Sequence, residues 1–175
     1  MRITFLCGKR VLEQLGFEHS LIGRLKTLLN SSEDSLESTA KRLLEEIKQL
    51  SKELEAAKDE LLLHEAKDLA VRSKDTITAI YEDRSIKELQ KLARMVVSIQ
   101  ESVRVILVSK NGRQLQFVCA QGNNGIGDMK KLAGEVLPAI NGKGGGSQNF
   151  AQGGGEAVMS ANDLAALLDS KANME

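Results

Sequence analysis

The residues best placed to do chemistry lie in one stretch, Asn141 to Gly155, which reads NGKGGGSQNFAQGGG. Seven of its fifteen positions are glycine, arranged as Gly142, the triplet Gly144–Gly146 and the triplet Gly153–Gly155. Glycine has no Cβ, so a run of it lets backbone amides approach a bound group closely. Successive amides converging on one concavity bind anions, and Lys143 adds a full positive charge within the first cluster. A flexible linker is the competing explanation of glycine runs. Against it, the stretch lies between two apolar, helix-like segments, carries Phe150 and Ala151 in its middle, and is interrupted by Lys143. The pattern predicts a structured phosphate-contacting loop. Its candidate nucleic-acid-binding residues are Gly142, Lys143, Gly144, Gly145, Gly146, Ser147, Gln148, Asn149, Gln152, Gly153 and Gly154.

Other chemistries fail on spacing. A nucleotide P-loop needs a leading glycine and a hydroxyl after the lysine, but Pro138 and Gly144 stand at those places. Gly125–Gly127 is too short for a dinucleotide fingerprint. His19 and His64 sit in helical segments, away from any cysteine at metal-ligand spacing. Neither a paired nucleophile and base nor a metal-ligand motif is present, so the chain is expected to be non-catalytic. Cys7 and Cys119 are far apart in apolar segments, which suggests packed thiols in a reducing compartment. No apolar run approaches a membrane span and no signal-peptide pattern opens the chain, so the cytoplasm is the expected location.

The elements around the glycine stretch follow from periodicity. Arg2 to Cys7 alternates like a strand. Gly8 then opens a helix through Val11, Leu12, Leu15, Leu21, Ile22, Leu25, Leu28 and Leu29, with Gly16 and Gly23 placed to bend it. Asn30-Ser31-Ser32 breaks the pattern, and Ser32 is a candidate N-cap. From there to about Arg72 a heptad-like helix sets Leu36, Leu43, Leu50 and Ala57 on one seam and Ala40, Ile47, Leu54 and Leu61 on the other. Such a helix cannot bury its seam alone. Leu36, Leu43, Ile47, Leu50, Leu54 and Leu61 are therefore candidate oligomerisation residues, with a folded-back helical hairpin as the alternative.

Beyond Ser73 the texture becomes that of a small α/β domain. Thr76–Tyr81 is a strand candidate, and Ser85 with Glu88 forms a capping box for a helix with Ile86, Leu89, Leu92, Ala93, Val96 and Val97 as its buried face. Val103–Val108 reads as an interior strand, Asn111-Gly112 as a hairpin turn, and Leu115, Phe117 and Cys119 as the returning strand. Asp128 caps a helix through Met129, Leu132, Ala133, Val136, Leu137 and Ile140 that leads into the glycines, and Ser160 with Asp163 starts a last helix. The expected class is α+β: a strand segment over 1–8, which the resemblance below implies is the end of an upstream domain, a coiled-coil-like helical arm over 9–74 and an α/β head over 75–175.

The segment GKGGGSQNFAQGGG resembles the C-terminal signature of alanyl-tRNA synthetases and free-standing alanyl-tRNA editing proteins, in the DHH-associated domain. That family's pattern has Gly-Gly before the lysine and Arg-Pro-Asp-Met after the glycines. Here Asn141 replaces the first glycine, and Ser147, Gln148, Asn149 and Phe150 replace the four that follow, so one phosphate-binding arginine is lost. RITFLCGKRVLEQL is similar to the end of the editing domain in the free-standing proteins. The resemblance implies that Met1 stands just downstream of a missing catalytic domain, which would hold the zinc; no cofactor is expected here. It implies tRNA, of alanine identity, as partner, together with pairing of two copies. A purely structural coiled-coil module without RNA binding is the competing reading, favoured by zero net charge and few aromatic residues. Phosphodiesterase chemistry, found with this domain elsewhere, fails because the Asp-His-His motif is absent.

Overall fold

The computed structural model describes residues 8–72, 75–123, 125 and 127–172. The expected strand at Arg2–Cys7, and Cys7 with it, lies outside them. The chain divides into two compact units, Met1–Ala56 and Ala57–Glu175.

The first unit is helical. α1 (Lys9–Leu29) runs through Gly16 and Gly23 without a break. It ends where Asn30 takes the left-handed conformation (φ 46°) and its N–H caps the carbonyls of Lys26 and Thr27. Ser32 caps a 3₁₀ turn (Glu33–Ser35) rather than an α-helix, and the Ser31 hydroxyl ties that turn to Ser35 and Thr39 at 2.7 and 3.1 Å. α2 (Leu36–Arg72) begins in this unit, and the division falls inside it. No residue of α1 is fully buried, while Ile22, Lys26 and Leu29 are half-buried. On α2, Leu36 and Leu43 are half-buried, whereas Ile47, Leu50 and Leu54 stay exposed.

The second unit holds the end of α2, β1 (Thr76–Glu82), α3 (Ile86–Ile99), β2 (Arg104–Asn111), β3 (Gln114–Gln121), α4 (Met129–Val136), a 3₁₀ turn (Leu137–Ile140), β4 (Lys143–Gly146), β5 (Phe150–Glu156) and α5 (Ala161–Ala172). One sheet takes all five strands in the order β1-β2-β3-β5-β4. β1 is parallel to β2, joined by α3 as crossover, and the other pairs are antiparallel. β2 lies between two strands, as its run of β-branched residues requires.

Alternation along the strands sends side chains to two separate cores. Leu115, Phe117 and Cys119 of β3 join Ile106 and Val108 under α4 and α5. Val118 and Ala120 join Val105, Leu107 and Ile77 under α3 and the end of α2. α3 contributes Leu89, Leu92, Ala93 and Val96, all fully buried. Its start is fixed by the Ser85 hydroxyl, which accepts from the Glu88 N–H at 3.3 Å. α2 meets this core through Leu62, Ala66 and Leu69, one residue out of step with the heptad seam, and leaves Leu61 exposed. The β2–β3 turn forms where Asn-Gly predicts one, but Asn111 still pairs with Gln114, so Gly112 (φ 57°) and Arg113 make the bend.

Candidate nucleic-acid interface

The glycine stretch is a β-hairpin at the edge of the sheet, where its pattern predicts a structured loop. β4 pairs with β5, bringing Lys143 opposite Gly154, Gly144 opposite Gly153, Gly145 opposite Gln152 and Gly146 opposite Ala151. None of these glycines has a positive φ. They are needed for close approach instead. A Cβ on Gly144 would meet Gly153 Cα at 2.7 Å, one on Gly146 would meet Ala151 Cα at 2.5 Å, and one on Gly153 would meet the Phe117 ring at 2.8 Å. Gly145 differs, since its Cβ would meet nothing within 4 Å.

Ladder phase decides which amides are free. Ser147 and Phe150 exchange both backbone bonds, at 2.7 and 3.4 Å. Antiparallel alternation then commits Gly145 to Gln152 and Lys143 to Gly154, and turns the N–H groups of Gly144 and Gly146 away from β5 at the open edge. The Gly142 amide donates to Leu137 O (2.9 Å) and that of Asn141 to Pro138 O (3.3 Å), so both are absorbed in capping the preceding 3₁₀ turn. Of the amides expected to bind a ligand, those of Gly142 and Gly145 are thus spoken for within the fold.

The turn residues are largely structural. Gln148 O accepts from the Met129 N–H, and Asn149 O from the Gln121 N–H, each at 2.9 Å. The buried Gln121 amide also donates to Gly127 O and to Gln148 O. Together these bonds anchor the hairpin tip to the end of β3 and the start of α4.

α3 covers β2 and β3 but not the hairpin, which leaves a groove of about 580 Å³ between α3 and the glycine strands. Its floor is Gly144–Gly146, Gly153 and Gly154, with Lys143, Gln116, Phe150 and Gln152 beside them; Ile86, Gln90 and Arg94 form its wall. Among the described residues no carboxylate lines it. Gln90 Nε2 donates to Gln152 Oε1 across the groove, and the Arg94 guanidinium lies over the Phe150 ring. Among the described residues neither Lys143 nor Arg94 has a salt-bridge partner. Glu156 borders an adjoining depression that shares Lys143, Gln116 and Gly154 with the groove, and there it accepts from Asn141 Nδ2 at 3.3 Å. A second cavity of about 510 Å³ adjoins the first along Arg94, Gly146 and Phe150 and adds Ser98, Ser147 and Asn149.

Gln90, Arg94 and Gln116 were not among the expected site residues. Residues 86, 90 and 94 recur every fourth position and so share one helix face, which is the signal that could have found them.

The pattern of relatives agrees with this architecture. The chain is 30% identical over 159 residues to an alanine–tRNA ligase of Thermotoga petrophila, an alignment covering 88% of the chain and 18% of the relative. An alanine–tRNA ligase of Xanthomonas campestris is 28% identical over 163 residues, with 89% and 18% covered. Among solved structures, the C-Ala domain of the Aquifex aeolicus alanyl-tRNA synthetase superposes with a TM-score of 0.50 and 26% identity, covering 55% of this chain and 89% of that domain. The chain is similar to the C-Ala region of alanyl-tRNA synthetases. It spans about a fifth of the length of the curated relatives it matches. No family model matches it. The long helix followed by a small mixed domain with a five-stranded sheet is the architecture shared with that C-Ala domain.

Among the described residues no group of three or more His, Cys, Asp or Glu could hold a metal ion, and no helix is long and apolar enough to cross a membrane. Burial pushes the Cys119 thiol up to about 12, so it stays protonated in the core. The expected oligomerisation residues all lie on α2, and no other element covers Ile47, Leu50, Leu54 or Leu61 among the described residues.

Proposed function

We propose that this chain is a tRNA-holding, subunit-pairing part of an alanyl-tRNA synthetase-related protein, and that the groove beside the glycine hairpin contacts tRNA phosphates. One observation carries the reading. Lys143 and Arg94, two cations without ion-pair partners among the described residues, face a groove floored by glycine backbone and free of carboxylates. In a chain of zero net charge with 24 acidic side chains, that local excess points to an anionic ligand. Similarity to alanine–tRNA ligases makes tRNA the polyanion of choice, and the same similarity supports alanine identity.

The bond-forming and editing activities of the parent, including any zinc site, belong to segments other than this one. The resemblance to the DHH-associated domain of free-standing editing proteins keeps such a protein as an alternative parent beside a synthetase. The exposed seam of Ile47, Leu50, Leu54 and Leu61 supports pairing with a second copy. The test is an anisotropy titration of labelled tRNA with the purified chain at low salt. Saturable binding is expected, and a flat titration at protein concentrations well above the micromolar range would remove the reading and leave the structural module.

A further inference from the structure

We propose that the groove holds one unpaired nucleotide of an RNA strand, its phosphate on Lys143 and its base stacked on the outer face of the Arg94 guanidinium. This rests on the nucleic-acid reading above and narrows it, from backbone phosphates in general to an unpaired, accessible base.

Arg94 supplies the stacking surface. Its Cζ lies 5.0 Å from the Phe150 centroid, so one face of the guanidinium plane is backed by an aromatic ring. The side chain is exposed and forms no ion pair among the described residues, which leaves its other face open. A planar cation pinned on a ring is a preformed stacking surface, and unpaired RNA bases are taken up on arginine planes and aromatic rings in this way. A base within a duplex is stacked on both sides and cannot reach such a surface.

The rest of the wall fits a base rather than a second phosphate. Gln90, Gln116 and Gln152 surround the floor with amides, which donate and accept and so match the mixed edges of nucleobases. Lys143 and Gly145 pair with Gly154 and Gln152 and therefore project to the groove face of the hairpin. A phosphate on Lys143 and a base on Arg94 belong to one nucleotide, and a cavity of about 580 Å³ is of small-ligand size. The adjoining cavity past Arg94, with Ser98 and Ser147, continues the path for a neighbouring nucleotide.

The experiment titrates the full chain with three fluorescein-labelled probes of equal length: a single-stranded oligoribonucleotide, the same strand annealed to its complement, and an abasic strand. Wild type is expected to bind the single strand about tenfold more tightly than the abasic strand, the scale of one base stacked on a side-chain plane. Arg94→Lys keeps the charge but loses the plane, and should erase that preference. Circular dichroism of this exposed-site variant checks the fold. Equal wild-type affinity for base-bearing and abasic strands overturns the nucleotide pocket but leaves the phosphate reading standing. Binding of none of the three probes overturns both.

Discussion

Gly144 and Gly153 face each other across the β4–β5 ladder so closely that a Cβ on Gly144 would lie 2.7 Å from Gly153 Cα. The obstacle is backbone, which cannot swing aside as the end of a side chain can. Gly144→Ala is therefore expected to destabilise the second unit by about 1–3 kcal/mol, the usual cost of forcing extra atoms into a packed site. Gly145→Ala, with open space at its Cβ, should unfold within about 0.5 kcal/mol of wild type. Urea unfolding of the two variants separates them. Equal midpoints would show that the hairpin relaxes freely.

The contrast shows where the sequence was opaque. Apolar periodicity revealed α3, β2, β3 and α4 because Leu, Val and Ile mark the buried face at each step. Polyglycine carries no side chains, so its alternation between core and groove cannot be read, and a strand pair looks like a loop. The wall of the site was hidden for a different reason: Gln90 and Arg94 on α3 resemble an ordinary solvated helix face. On α2 the heptad seam masked a second stripe, Leu62, Ala66 and Leu69, which is the one that packs on the sheet.

Glu65 ties α2 to the end of β1. Its carboxylate accepts from both guanidinium Nη atoms of Arg84, at 2.7 and 2.6 Å, and from the Tyr81 hydroxyl at 2.7 Å. Burial alone would raise its pKa, but the bonds from Arg84 and Tyr81 more than offset this and hold it below the usual carboxylate range. Burial and the nearby carboxylate raise Tyr81, so the phenol keeps its proton. A depressed folded-state carboxylate contributes stability above its unfolded pKa, and this is lost as pH falls through the folded value. Stability should thus decline on acidification below about pH 4.3. Glu65→Gln should flatten that part of the profile and cost about 1–3 kcal/mol at pH 7, toward the lower end because the pair keeps some solvent contact. Thermal melts from pH 3 to 8 give the answer, and identical slopes for both proteins would contradict it.

Self-association makes a separate prediction. Ile47, Leu50, Leu54 and Leu61 are each more than half exposed on α2, and covering a side chain of this size is worth about 1.5–3 kcal/mol when complete. Light scattering should therefore find twice the chain mass at high concentration. Leu50→Asp should give the single-chain mass with the helical content of the sheet unit kept. A wild type that stays monomeric at high concentration would assign the exposed seam to a different partner.

The last prediction concerns the phosphate contact proposed for the groove. Lys143 projects to the groove face, and the N–H groups of Gly144 and Gly146 point off the open edge of β4, so charge and hydrogen bonding come from one short strand. The 3₁₀ turn that precedes it does not oppose this, because the amides of Asn141 and Gly142 cap the carbonyls of Pro138 and Leu137. A backbone contact of this type positions RNA without reading its sequence. Lys143→Ala should accordingly weaken all tRNAs alike, and should make the plot of log affinity against log salt shallower by roughly one phosphate's worth of released counterions. Gly145→Val acts otherwise. Its side chain meets no protein atom within 4 Å at Cβ and suits a strand, so the fold should survive, but it fills the groove floor where the ligand must lie. Affinity should therefore fall by about tenfold or more while the salt slope, set by the remaining cations, changes less than in Lys143→Ala. Anisotropy titrations of wild type and both variants at several salt concentrations measure affinity and slope together. If all three proteins share one affinity and one slope, tRNA does not use this groove and the glycine hairpin serves only to close the sheet.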